Sequence, residues 1–126
     1  MLSKNDIKNI IQESKNYAEN ASNLIAPKLT EIISEEMTKI IARFCHLYEN
    51  TEDLKNQDLT VVLKLYSISE MLQKEFPKTR ISFDIIKDAI SKIMEQMNNQ
   101  GYIVTMSNEH PSFVILKICN WYPEEL

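Results

Sequence analysis

An α+β fold is what this sequence predicts: about four helices packed as a bundle, with a C-terminal antiparallel β-hairpin on one side. Three observations carry that prediction. Apolar residues recur at helical spacing through most of the chain as far as Met97. From Tyr102 onward the pattern changes to the alternating and continuous apolar runs of strands. The only glycine among the 126 residues, Gly101, stands at the change.

The first predicted helix covers "SKNDIKNIIQESKNYAENASNLIA". Ser3 and Asp6 form a capping box, each side chain reaching the other's amide. Ile7, Ile10, Ile11, Tyr17, Ala18 and Ala21 then fall on one face. Pro27 lacks an amide hydrogen, so it is expected to end this helix and to sit in the first turn of the next. The second helix runs from about Pro27 to Tyr48. Leu29, Ile32, Ile33, Met37, Ile40, Ile41, Phe44 and Tyr48 form its stripe, and Glu31, Glu35, Glu36, Lys39 and Arg43 its wet side. "ENTEDLKNQD" reads as a loop. The third helix is expected from Asp58, as cap, to Phe76, because Pro77 follows. It is apolar nearly all round, which suits a central element. The fourth begins at Ser82 and carries Ile85, Ile86, Ala89, Ile90, Ile93, Met94 and Met97 on one face.

Gly101 lies just past the last periodic residue, where a left-handed backbone closes a helix, and Tyr102 falls where a Schellman motif folds an apolar side chain back onto Met97. "YIVTM" and "SFVILKIC" are the two strands, with "SNEHP" as the turn. Pairing Met106 with Ser112 puts Tyr102, Val104, Met106, Val114, Leu116 and Ile118 on the face toward the helices. Ile103, Thr105, Phe113, Ile115 and Lys117 share the other face. An isolated two-stranded ribbon is marginal in water, and both its edges need cover. Either "TRISF" supplies a third strand, or another chain does.

The whole of residues 1–126 reads as a single domain, long enough for a core without staples. A net charge of −4 argues against a phosphate-binding surface. No apolar run approaches the ~20 residues of a membrane span, and the N-terminal stretch lacks a signal peptide's apolar core. Cys45 and Cys119 form no disulfide framework, so a reducing interior, the cytoplasm of a host cell or a virion, is expected rather than secretion. Cys45, His46, His110 and Cys119 offer metal-ligand atom types without metal-ligand spacing, so no metal is expected. One glycine excludes a glycine-rich phosphate loop. Two histidines and carboxylates on wet faces, such as Glu35 and Glu36, supply no catalytic constellation. No enzyme, cofactor or small-molecule substrate is expected. A winged-helix reading fails on length, since about twenty residues separate Ile81 from Gly101, too few for two helices and a turn.

The candidate site is an interaction surface. It comprises Ile103, Phe113 and Ile115 on the outer hairpin face, with Trp121 and Tyr122 in "NWYPEEL" suited to docking onto a neighbour.

"GYIV" followed by "ILKICNW" resembles the ending of many small proteins of tailed bacteriophages and large DNA viruses: a helix, a Gly-Tyr-x-Val strand, and a second strand closing on Ile-x-Trp. The resemblance covers residues 82 to 121, and the closing here, Ile-Cys-Asn-Trp, is one residue longer. It implies a structural or accessory protein of a virus particle and no active site. The expected function is therefore a non-catalytic interaction protein that binds a protein partner or itself. The alternative is a small regulator that binds nucleic acid or a host protein.

Overall fold

The computed structural model describes residues 1–124. Among them the elements are α1 (Lys4–Leu47), α2 (Thr51–Lys55), β1 (Leu59–Lys64), α3 (Leu65–Glu75), α4 (Phe83–Asn99), β2 (Ile103–Ser107) and β3 (Phe113–Cys119). The α+β class stands. The hairpin is part of a three-stranded antiparallel sheet in the order β1-β3-β2.

Two expected helices are one. α1 runs for 44 residues straight through Pro27, which does not break it. The proline forfeits one backbone hydrogen bond and its ring crowds the turn before it, a cost of about 3 kcal/mol. Ile25, Leu29 and Ile33 lie on both sides of it and are fully buried, each side chain contributing ~1.5–3 kcal/mol. Pro27 itself is exposed, so the carbonyl it deprives of a partner lies on the wet side of the helix. Burial on one face outweighs the break on the other. The capping box of Ser3 and Asp6 forms as expected. The stretch read as a loop contains the short α2, capped by the Asn50 side chain, which accepts from the Glu52 amide at 2.8 Å.

The expected third helix is a strand and a helix in series. Leu59–Lys64 is β1, with Leu59, Val61 and Leu63 buried and Thr60, Val62 and Lys64 exposed. The β-branched run Thr60-Val61-Val62 favours the pleat over the helix. The all-round apolar character is a two-residue period running directly into a 3.6-residue one. α3 then ends before Phe76 and Pro77 as expected. The third strand therefore comes from β1, and not from "TRISF". In that segment Ile81 is buried in the core and Ser82 caps α4, accepting from the Ile85 amide.

The glycine reading holds in detail. Gly101 has φ of +102°. The Tyr102 amide donates to the Met97 carbonyl and the Gly101 amide to the Asn98 carbonyl, both at 3.2 Å, the two bonds that define a Schellman motif.

The register of β2 on β3 is four residues from the expected one: Met106 opposes Leu116, not Ser112. Because four is even, the two faces keep their membership. Val104, Val114, Leu116 and Ile118 are buried with the inward residues of β1, against α1, α3 and α4. A polar tether joins α1 to α4. Buried Ser22 of α1 donates to the Glu19 carbonyl and accepts from Lys92 Nζ of α4 at 2.7 Å.

Candidate interaction surface

The helices lie on one face of the sheet, and among the described residues no element covers the other. Alternation along three strands decides what that outer face carries. Ile115 lies on the central strand β3, opposite Val62 of β1 and Ser107 of β2. Two residues along, Lys117 lies between Thr60 and Thr105, and beyond it Cys119 opposes Ile103. Val62 is 47% exposed, Ile103 57% and Ile115 36%. Three large aliphatic side chains thus stand in water on a surface that the fold leaves open.

The structure places the five expected contact residues in two groups. Ile103, Phe113 and Ile115 share the outer face. Phe113 is half-buried, its ring 4.5 Å from that of His110 in the β2–β3 loop. Trp121 and Tyr122 lie elsewhere and are engaged within the chain. Trp121 Nε1 donates to the Gln57 carbonyl, and its ring tilts against Phe44 near the end of α1. Tyr122 packs edge-on against Trp121, and Lys55 Nζ stands 5.7 Å from the centre of its ring. Asn120, at φ of 56°, turns the chain after β3 and donates from Nδ2 to the Gly101 carbonyl at 2.9 Å. The tail therefore locks β3 onto α1 and α2. The last two residues of "NWYPEEL" lie outside the described residues.

Helical spacing hides Val62 as an outer-face residue, because its segment also fits a helix. The alternation of "LTVVLK" is the signal that reveals it. The face also carries charge. Lys117 pairs with Asp58 at 3.4 Å, both exposed, and an exposed pair of this kind contributes little. Lys64 is a second cation at the end of β1. The Cys119 thiol is raised above its ordinary value, first by burial and then by the Asp58 carboxylate beside it.

Elsewhere the surface offers little chemistry. Both cysteines are free, Cys45 exposed on α1 and Cys119 half-buried on β3. Among the described residues no cluster of three or more His, Cys, Asp or Glu side chains could hold a metal ion. A groove of about 270 Å³ between α1 and α4 is lined by Ile33, Met37, Ile41, Met97 and Tyr102, with hydroxyl and amide groups at its rim and no carboxylate, imidazole or thiol. Among the described residues no helix is long and apolar enough to cross a membrane. No protein-family model matches the chain, no curated protein matches it, and no solved structure matches its fold.

Proposed function

We propose that this chain is a non-catalytic interaction protein that assembles through the outer face of its sheet, as a structural or accessory component of a virus particle. One observation carries the assembly reading: Val62, Ile103 and Ile115 stand exposed on a face that nothing in the described chain covers. Water contact with such a patch is unfavourable at ~25 cal/mol per Å², and burying it against a second surface recovers that energy. The non-catalytic reading is supported by the groove between α1 and α4, whose hydroxyls (Thr30, Ser34, Thr38 and the phenol of Tyr102) have no carboxylate, imidazole or amine in the lining to act as their base. The virus setting rests on the helix–strand–strand ending at Gly101–Trp121 alone.

The test places a charge at Ile115, which is a cleaner probe than Phe113 because Phe113 also packs on His110. Ile115→Glu should leave the far-ultraviolet circular dichroism spectrum intact, since Val114 and Leu116 hold the opposite face in the core. In sedimentation velocity it should weaken association by about 2 kcal/mol, the scale of a hot-spot residue. A parent chain that stays monomeric at millimolar concentration would remove the proposal. A parent that shifts only when nucleic acid is added at low salt would replace it with the regulator reading.

A further inference from the structure

The N-terminal part of α1 leaves the body of the protein. Every residue from Met1 to Tyr17 is exposed, and the first anchors to the body are the half-buried Ala18 and the hydroxyl of Tyr17. That hydroxyl accepts from the Arg80 amide at 2.7 Å and donates to the Arg80 carbonyl at 3.3 Å. Lys4–Asn16 is thus a projecting helical arm of about 20 Å at ~1.5 Å per residue. Its apolar stripe is intact: Ile7 is 44% exposed, Ile10 48% and Ile11 50%. Lys4, Lys8 and Lys15 flank that stripe on one side, Asp6 and Glu13 on the other, at about 100° per residue.

Resting on the assembly reading above, we infer that the outer sheet face is covered by the α1 arm of a second copy, so that copies join head to tail. Pairing with another arm is the poorer fit. On an ideal helix Ile7, Ala18 and Ile25 point within about 20° of one another. A parallel partner on the arm's stripe would therefore run into the layer where α4 and the sheet already cover Ile25. In an antiparallel pair the two-fold axis sets each flank beside its own copy, lysines against lysines and carboxylates against carboxylates. Nor does the sheet face suit itself, since stacking two copies would take Lys64 and the exposed Lys117–Asp58 pair of each copy out of water.

Arm and face suit each other. Three strands at ~4.8 Å spacing make a strip about 14 Å wide and ~20 Å long, which seats one helix ~10 Å across. Asp6 and Glu13 lie two turns apart on one flank, about 10 Å. Lys64, opposite Phe113 at one end of the face, puts a cation within reach of one of these carboxylates, while Lys117, four residues further along β3, is already paired with Asp58. A molecule's own arm cannot make the contact. It continues α1 without a break, and α1 packs on the inner side of the sheet. The joint is heterologous, so it propagates into a ring or filament.

The footprint falls below the ~800 Å² per partner of a standard interface, so association is read at about 0.1–1 mM protein. Sedimentation velocity is run on an arm variant (Ile7→Glu with Ile11→Glu), a face variant (Ile115→Glu) and their equimolar mixture, with circular dichroism as the folding control. Ile103→Glu serves as a second face variant should Ile115→Glu unfold. Each variant alone should associate at least tenfold more weakly than the parent. The mixture should form a one-to-one dimer and stop there, because one intact arm meets one intact face. An arm variant that assembles like the parent would sink the inference while leaving assembly through the sheet standing, and so would a mixture that stays monomeric. A parent that never associates would remove both.

Discussion

Gly101 offers the sharpest check on how this chain turns from helix to sheet. Its φ of +102° lies well beyond the usual left-handed well near +57°. A Cβ built on Gly101 meets nothing within 4 Å. Any penalty for a side chain here is therefore one of backbone conformation and not of collision with neighbours. An L-residue in left-handed space costs about 1–2 kcal/mol, and a β-branched one more, because its second γ atom crowds the carbonyl. Gly101→Ala should thus lose about 1–2 kcal/mol and Gly101→Val about 2–3 kcal/mol. Gly101→Asn should be milder than Val, because Asn tolerates this region best after glycine. In urea, with a slope of ~2 kcal/mol per molar, the Ala midpoint should fall by about 0.5–1 M. The decisive arm is chemical. D-Alanine introduced at 101 by ligation prefers positive φ, so it should match or exceed the parent, gaining about 0.4–1 kcal/mol from a stiffer unfolded chain. If L-alanine and D-alanine lower the midpoint equally, the cost comes from lost space, and the Schellman account of this turn is wrong.

Pro27→Ala should stabilise the protein by up to ~3 kcal/mol, since it restores a hydrogen bond on the wet face of a helix whose other face is buried. A lower melting temperature would mean that the proline serves the fold in a way its exposed position does not reveal. The Asp6 carboxylate accepts from the Ser3 amide at 2.9 Å, and that hydrogen bond holds its pKa below the ordinary value of 3.8. The sign follows. Its contribution to the arm is complete above the ordinary value and is lost as pH falls through the lowered one. Amide protection across the first turn of α1 should decline in that acid window and become pH-independent there in Asp6→Asn. Unchanged acid sensitivity in that variant would assign the effect to another group.

Local rules carried several elements to the right place. The Ser3–Asp6 box, the Ser82 cap, the end of α3 ahead of Pro77 and the turn at Gly101 each depend on chemistry within about five residues. The two faces of β2 and β3 were legible too, because alternation survives an even register shift. The residues expected to make contacts divided for the same reason. Ile103, Phe113 and Ile115 follow from alternation, whereas the lodging of Trp121 on Phe44 and Gln57 joins positions far apart in the chain.

By itself the sequence determined the class of fold, the caps at Ser3 and Ser82, the ends of α3 and α4, and which side of each terminal strand is apolar. Those properties are set by backbone geometry and by the periods of two and 3.6. Only the tertiary structure decided that Pro27 lies inside a helix and that Leu59–Lys64 is a strand. In both places local preference is worth a few kcal/mol at most and packing is worth more. Ile25, Leu29 and Ile33 bury enough surface to hold α1 across its proline. β3 needs a second neighbour for its free edge, and Leu59–Lys64 supplies one whose inward residues complete the core. The open outer face and the projecting arm follow from that arrangement, because what is left uncovered depends on where every other element has gone.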